Sequence, residues 1–182
     1  MQFGYAEKRS SYAEQDSSSG AWYAIQTHPR HERVVAIELQ IRGVSTFLPL
    51  VREVHRWSDR RKTVELPLFS SYVFVHLAAT TEARARVLRS GGVLRFVGQH
   101  AGGTPIPDEQ IESVKMLVAK NLPCVNHPFL NTGQRVRIRG GALDGLEGIF
   151  RSQNGEDALV VSLDAIQRSL AIQIKGYDIE IV

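Results

Sequence analysis

The stretch LPLFSSYVFVHL, residues 66–77, decides how the first part of this chain folds. It begins with Pro67 and the bulky pair Leu68 and Phe69, continues with two serines, and ends in β-branched and aromatic residues that favour strands. Side chains along an unbroken strand alternate between its faces, so Phe69 would lie opposite Tyr72 unless a bulge interrupts the strand at the serines. These aromatic residues therefore either fill a core or form an apolar surface for a partner.

The segments around this stretch predict an α+β domain. Residues 63–77 form a long strand, and a β-rich run at residues 44–57 precedes it, with Pro49 forcing a break or an edge. The other predicted strands are residues 21–27 and 93–98, and the predicted helices are residues 28–43, a short one after Thr80 or Thr81, and residues 107–120. Up to its last helix, this order is a split βαβ arrangement, an antiparallel sheet with helices on one face.

The first predicted helix has clear end signals. Pro29 suits its first turn and Gly43 suits its end. Val34, Ile37 and Ile41 recur on one face at helical spacing.

The pattern changes after the last helix. Residues 121–132 have no helical or strand period and contain two prolines and three asparagines, which predicts a linker. Residues 133–182 contain about five short alternating runs with glycines near the corners, which is typical of a small all-β barrel. Gly145 and Gly148 are expected at turns that need a positive φ.

Charge is distributed unevenly along the chain. The chain has 22 Lys and Arg, 19 Asp and Glu, and a net charge of +3. Residues 130–182 hold six of these basic and seven of these acidic groups, so the excess of positive charge lies earlier, notably in residues 28–62. A locally basic surface suits an anionic partner such as nucleic acid, but basic side chains on a helix and a hairpin also serve simply as solvated faces.

Several classes of protein are disfavoured by composition. With 43% hydrophobic and 23% charged residues the chain is typical of soluble globular proteins, and no apolar run is long enough to span a bilayer. Residues 1–20 lack the apolar core of a signal peptide and are interpreted as a flexible leader. The single Cys124 excludes an internal disulfide and favours the cytoplasm. No metal-ligand spacing, Gly-rich phosphate loop or catalytic signature is present, so we expect no enzyme activity, cofactor or metal.

Four segments, taken together and in order, resemble the NusG family of transcription factors. They are WYAIQT at residues 22–27, the pair Phe69 and Tyr72, the runs VLRFVG and PIPDEQI, and GQRVRIRGGALDGLEGIF at residues 133–150, which is similar to the KOW motif. The resemblance covers residues 21–182. Two of the segments look more like the specialised RfaH and UpxY-like paralogues than the housekeeping factor, which tends to carry glycine where this chain has Ser71.

The resemblance implies a domain organisation and a function. Residues 21–120 look like a NusG N-terminal domain, which binds the clamp helices of RNA polymerase, holds the clamp closed and suppresses pausing. Residues 133–182 look like an SH3-like KOW barrel, which recruits a small-subunit ribosomal protein or a termination factor. The resemblance thus implies a monomeric elongation and antitermination factor with no membrane partner.

The same resemblance suggests candidate contact residues. Phe69 and Tyr72, with Trp22 or Tyr23, are expected to line an apolar hollow for the tip of a helical hairpin, since aromatic residues are enriched among interface hot spots. Filling the core between sheet and helix is the alternative role for these rings. The resemblance also implies that Thr80 and Thr81 contact the other large polymerase subunit, a role compatible with helix capping.

Basic residues at the start of the first helix are candidates for nucleic acid. His28, Arg30 and Arg33 combine positive charge with a helix N-terminus, and in RfaH-like proteins this region approaches the non-template DNA strand. A second basic group either contacts upstream DNA or keeps an exposed hairpin tip soluble, and we favour the second role; it consists of Arg56, Arg60, Arg61 and Lys62.

Two questions about the predicted barrel stay open at this stage. Arg135, Arg137 and Arg139 share one strand face, which suits RNA or a solvated surface, and we favour the latter. A ribosome- or RNA-binding KOW protein is the rival function, since KOW barrels also occur in ribosomal proteins, and it predicts tight, salt-sensitive RNA binding without polymerase. Val160, Val161, Ile172 and Ile174 favour strands, so a β barrel is expected at rest rather than the helical hairpin that RfaH adopts.

Overall fold

The computed structural model of the chain describes residues 20–56, 61–153 and 155–182. Almost all of the leader predicted at residues 1–20 lies outside the described residues, as does residue 60 in the basic hairpin tip. The side chains of residues 54–62 are likewise outside the description, so the prediction for Arg56, Arg60, Arg61 and Lys62 stays a prediction.

A four-stranded antiparallel sheet organises the N-terminal half. Its strands are β1 (Gly20–Thr27), β2 (Ser45–Phe47), β5 (Tyr72–Ala78) and β6 (Val93–Phe96), in the order β2-β5-β1-β6. The helices are α1 (Glu32–Ile41), α2 (Thr81–Leu88) and α3 (Asp108–Ala119). This mixed sheet-and-helix architecture confirms the predicted α+β class.

The two faces of this sheet carry different helices. Tyr23 and Ile25 of β1 belong to a buried cluster with side chains of α1 and α2. Trp22 and Ala24, which alternate with them along the strand, belong to a second cluster that contains the apolar side of α3. The first two helices therefore share one face, as the split βαβ pattern predicts, and α3 lies on the other.

Helix α1 buries a different side from the one that its spacing suggested. Val34, Ile37 and Ile41 do share a face, but they are 59%, 58% and 81% exposed. The buried apolar side chains are Val35 and Leu39, together with Ala36. The helix carries two overlapping apolar stripes, and periodicity alone does not say which one the sheet covers.

The long strands predicted at residues 44–57 and 63–77 are both interrupted. The first divides at Pro49, as expected, into β2 and β3 (Leu50–Arg56). The second divides at residues 68–71 into β4 (Arg61–Pro67) and β5, and β3 pairs with β4 as a separate two-stranded hairpin. The break after Pro67 is held by the Leu68 N–H, which donates to the Pro49 carbonyl at 2.9 Å.

The C-terminal half is a six-stranded antiparallel sheet. Its strands are β7 (Cys124–His127), β8 (Arg135–Arg139), β9 (Glu147–Gln153), β10 (Glu156–Leu163), β11 (Arg168–Gln173) and β12 (Asp178–Ile181), in the order β12-β8-β9-β10-β11-β7. Two 3-10 turns, Gly141–Leu143 and Asp164–Ile166, connect strands. The β-rich C-terminal domain and its β form at rest agree with the sequence prediction.

Strand β7 was not predicted, because it lies within the segment interpreted as a linker. Its four residues show no alternation of their own, and Val125 is 66% exposed. Cys124–His127 is a strand because it pairs with Ser169 to Ile172 of β11. A tertiary neighbour, rather than local sequence, sets its conformation.

The two glycines singled out in the C-terminal domain have different roles. Gly145 has φ +82°, which confirms the expected turn. Gly148 lies inside β9 without a positive φ, so that prediction was wrong. A β-carbon at Gly148 would lie 2.6 Å from the Val160 carbonyl oxygen, so close backbone approach requires glycine there.

Candidate protein-binding site

A tight turn at Ser71 brings the predicted aromatic pair onto one face. Ser71 has φ +66°, in the left-handed region, and the Tyr72 N–H donates to the Phe69 carbonyl at 3.2 Å. The Ser71 carbonyl accepts from the Thr27 N–H at 2.9 Å, and its N–H donates to Glu32 Oε1 at 2.7 Å. The interruption that the sequence left open at the serines is therefore present, as a turn between β4 and β5 and not as a bulge within one strand.

This turn builds an aromatic face on the side of the sheet opposite α1 and α2. The Phe69 and Phe74 rings meet edge to face at 6.0 Å, and Phe74 lies 6.1 Å from Phe47. Trp22 meets Phe47 edge to face at 6.5 Å, and half-buried Tyr72 packs against the same cluster. We call these five residues the aromatic face.

Trp22, rather than Tyr23, joins Phe69 and Tyr72. Tyr23 points to the opposite side of the sheet, where it is 1% exposed and contacts Phe96. Sequence reasoning did not single out Phe47 as a member of the face. Strand β2 is only three residues long and Pro49 follows closely, so no alternation of apolar and polar residues marks the face on which Phe47 lies.

The aromatic face is covered in this arrangement. Phe69 is 4% and Trp22 is 9% exposed. Helix α3 contributes Lys115, whose Nζ lies 4.9 Å from the Trp22 ring centroid and 5.8 Å from that of Phe47. Apolar side chains of the C-terminal domain belong to the same cluster, and the turn Asp164–Ile166 lies beside β1.

Helix α3 also binds the C-terminal domain through polar groups. Gln110 Nε2 donates to Asp164 Oδ2 at 2.9 Å, and the Asp164 N–H donates to Gln110 Oε1 at 3.3 Å. A cavity of about 450 Å³ lies beside this contact, between α3 and strands β9 and β10. The contact between α3 and the C-terminal domain therefore combines polar groups with incomplete packing.

The threonine pair lies away from the aromatic face. Thr80 and Thr81 are exposed and follow the end of β5 opposite to Tyr72. Thr80 Oγ1 accepts from the Ala83 N–H at 3.2 Å, which is the expected helix cap. The structure therefore confirms the capping role and leaves the exposed sides of both residues for a separate contact.

The basic candidates lie together at the start of α1. His28, Arg30 and Arg33 are exposed, and the His28 ring lies 5.8 Å from that of His31. Arg33 donates to Glu65 at 2.9 Å. Hydrogen bonds from Arg33, foremost, and Arg52 lower the pKa of Glu65. Among the described residues Arg30 makes no ion pair, so its charge is the more available of the two arginines.

A groove of about 600 Å³ connects this helix start with the serine turn. Its walls include Arg30, Glu32 and Ser71 from the N-terminal domain and Cys124 from β7. Burial raises the pKa of the Cys124 thiol above its ordinary value. The groove is therefore lined by residues of both halves of the chain, and it extends from the start of α1 to the turn at Ser71.

The arginine stripe of β8 is largely neutralised. Arg137 donates through Nε to Glu147 at 2.8 Å, and Arg139 donates to Glu180 at 2.6 Å. The hydrogen bond from Arg137 to Glu147 raises the pKa of Arg137. Guanidinium groups that already pair with carboxylates have fewer free N–H donors for phosphate. This favours the interpretation of the β8 arginines as a solvated strand face.

The described part of the chain contains no cluster of three or more His, Cys, Asp and Glu side chains arranged to hold a metal ion. None of its helices within residues 20–56, 61–153 and 155–182 has the length and apolar character needed to cross a bilayer.

Comparison with known proteins places the chain among transcription factors. The family model described as "Transcription termination factor nusG" matches residues 20–115, which is more than half of the chain. The transcription termination/antitermination protein NusG of Borreliella burgdorferi is 28% identical over 181 residues, covering 89% of this chain and 98% of that protein. The protein of the same name from Lactococcus lactis is 28% identical over 171 residues, covering 87% and 91%.

Solved structures show a weaker likeness. The structure titled "Domain interaction in Thermotoga maritima NusG" covers 85% of this chain and 93% of its own, with 20% identity and a TM-score of 0.48.

Proposed function

This chain belongs to the NusG family of transcription factors, and we propose that it is an elongation and antitermination factor that binds RNA polymerase through its aromatic face. Proteins of this family are not enzymes, and binding energy is what such a factor supplies. The single observation that carries the proposal is the clustering of Phe69, Tyr72 and Trp22 on one side of the sheet.

The aromatic face has the chemistry of a hot spot for a helical partner. Large rings offer much apolar area with few rotatable bonds, and they dominate the energetics of many interfaces. The partner that the family resemblance implies is the tip of the clamp helices of the largest polymerase subunit. A helix tip docks into an apolar hollow by inserting its own apolar side chains.

Binding at this face requires α3 or the C-terminal domain to move, because Phe69 and Trp22 are almost completely covered. The hydrogen bonds between Gln110 and Asp164 are a solvent-exposed contact between α3 and the C-terminal domain. We propose that polymerase binding competes with this contact, so the free chain is the closed form.

Two further contacts complete the proposal. Arg30 and His28 at the start of α1 face non-template DNA, and Arg33 takes part after exchanging Glu65 for a phosphate. Thr80 and Thr81 meet the second large subunit at the other end of β5. Contacts at both ends of the sheet suit a factor that bridges the polymerase cleft in the cytoplasm and suppresses pausing.

The C-terminal domain is proposed to recruit a second protein once it is released. Its charges are mostly paired on β8, and its surface turn Asp164–Ile166 is occupied by the N-terminal domain in the closed form. Release would expose this turn to a small-subunit ribosomal protein or a termination factor.

The test combines polymerase retention with transcription. Immobilised core RNA polymerase should retain the wild-type chain, and Phe69→Ala or Tyr72→Ala should weaken retention by about tenfold or more. Phe96→Ala is the matched control, since Phe96 is also 4% exposed but lies on the opposite face.

Undiminished retention of Phe69→Ala and Tyr72→Ala would remove the aromatic face from the proposal. An in vitro assay on a paused template then measures the activity itself. The wild-type chain should shorten the pause, and a chain that binds structured RNA tightly without polymerase would support the rival RNA-binding function instead.

A further inference from the structure

The buried carboxylate of Glu32 contacts the turn at Ser71, next to the proposed polymerase-binding residues Phe69 and Tyr72. Glu32 begins α1 and is 4% exposed, although carboxylates are rarely buried without a partner. Its Oε1 accepts the Ser71 N–H at 2.7 Å. The distance of 2.7 Å lies at the short end of the range for N–H···O hydrogen bonds.

The residue that Glu32 binds has an unfavourable backbone conformation. Ser71 has φ +66°, a region that residues other than glycine seldom adopt. Both backbone polar groups of Ser71 are held by neighbours, its N–H by Glu32 and its carbonyl by the Thr27 N–H at 2.9 Å. These two bonds offset the strain and select this conformation.

The conformation of Ser71 decides the direction of Phe69. With Ser71 extended, alternation would place Phe69 on the face opposite Tyr72 and Phe74. With Ser71 left-handed, the Tyr72 N–H reaches the Phe69 carbonyl, and the Phe69 ring meets Phe74 at 6.0 Å. Phe69 therefore joins the aromatic face only when the Ser71 turn is formed.

We infer that Glu32 is a positioning residue for polymerase binding: its carboxylate fixes the Ser71 turn and so places Phe69 beside Tyr72. The consequence for polymerase rests on the function proposed above, whereas the geometry does not.

A purely structural role for Glu32 makes a different prediction. An acidic side chain in the first turn of a helix interacts favourably with the helix dipole, and that effect needs the negative charge. Fixing the Ser71 turn needs an acceptor oxygen. Glutamine supplies the oxygen without the charge, so Glu32→Gln separates the two roles.

The experiment uses four variants of the full chain with immobilised core RNA polymerase. Glu32→Ala should weaken retention by about tenfold, because the N–H of half-buried Ser71 loses its acceptor, whereas Glu32→Gln keeps an acceptor oxygen and should lose only a small part. Adding Ser71→Gly to Glu32→Ala should restore most of the binding, because glycine adopts the left-handed conformation unaided. Glu38→Ala is the control on the same helix and should bind like the wild type.

A second readout does not depend on polymerase. In the wild type the Ser71 amide proton should resonate downfield in the NMR spectrum, stay nearly there in Glu32→Gln, and move upfield in Glu32→Ala. Equal losses of retention in Glu32→Gln and Glu32→Ala, or no rescue by Ser71→Gly, would overturn the inference. If the wild type itself fails to bind polymerase, the proposed function fails, and the amide shift alone decides whether Glu32 holds the turn.

Discussion

The rings of Phe69 and Phe74 meet edge to face, 6.0 Å apart with an interplanar angle of 83°, although five positions separate them along the chain. An odd separation places two side chains on opposite faces of an unbroken strand. One left-handed residue, Ser71, reverses that relationship. The aromatic face of this protein thus depends on a backbone conformation as much as on its aromatic residues.

Replacing Ser71 with glycine should stabilise the fold. A left-handed residue other than glycine carries roughly 1–2 kcal/mol of strain, and glycine gives back about 0.4–1 kcal/mol through a freer unfolded chain. We expect Ser71→Gly to raise the free energy of unfolding by about 0.5–1 kcal/mol in urea titrations. Ser70→Gly is the matched control and should lower it, since Ser70 is exposed and has no positive φ. A lower unfolding midpoint for Ser71→Gly would contradict the strain argument.

Two glycines of the C-terminal domain should respond differently to alanine. A β-carbon at Gly148 would lie 2.6 Å from the Val160 carbonyl oxygen and 2.9 Å from Leu159 Cγ, so Gly148→Ala must displace backbone. Overpacking of this kind costs about 1–3 kcal/mol. At Gly145 a β-carbon meets nothing within 4 Å, and only its φ of +82° opposes alanine. Thermal unfolding should therefore rank Gly148→Ala below Gly145→Ala, and the reverse order would refute the packing assignment.

Weakening the hydrogen-bonded contact between Gln110 and Asp164 should increase the reactivity of the Cys124 thiol. The Gln110→Ala variant loses both hydrogen bonds to Asp164. Cys124 is the chain's single cysteine and lines the groove with Leu68, and burial raises the pKa of its thiol. Opening should return that pKa toward its usual value, increase the thiolate fraction at pH 8, and speed alkylation by iodoacetamide.

The same Gln110→Ala variant should bind polymerase more tightly if the closed form competes with binding. Gln134→Ala is the control, because the Gln134 side chain takes no part in the hydrogen bonds between Gln110 and Asp164. Unchanged alkylation in Gln110→Ala would show that these hydrogen bonds do not hold the domains together.

The ion-pair group at Glu65 should add an acid-sensitive contribution to stability. Arg33 and Arg52 lower the pKa of Glu65 in the folded state below its ordinary value of 4.5. A lowered folded-state pKa means that the contribution is complete above about pH 4.5 and is lost as the pH falls through the folded value. In low salt, the difference in stability between wild type and Glu65→Gln should shrink below pH 4.5. A constant difference across that range would exclude the linkage.

The sequence predicted the larger elements well, because their signals are local. Pro49 marked the break before β3, Thr80 marked the cap of α2, and alternating runs marked the C-terminal sheet. Phe69 and Tyr72 do share one cluster with Trp22, but Phe69 and Trp22 are buried and do not line the open hollow that the sequence suggested. Whether that cluster binds polymerase stays a prediction.

What the sequence left open depends on tertiary contacts. Helix α1 has two apolar stripes, and only the packed sheet shows that Val35 and Leu39 are buried while Ile37 is exposed. Glu32 gave no signal, because its partner is a backbone N–H distant in sequence. Strand β7 forms because β11 is beside it.

Strand β7 also sets how far the two halves can separate. While Cys124–His127 stays paired, only residues 120–123 span the gap after α3, and a chain of that length reaches about 14 Å at most. If β7 unzips from β11, the tether grows to residues 120–134 and its reach to about 50 Å. The pairing of these four residues with β11 thus sets the length of free chain between the N-terminal and C-terminal halves.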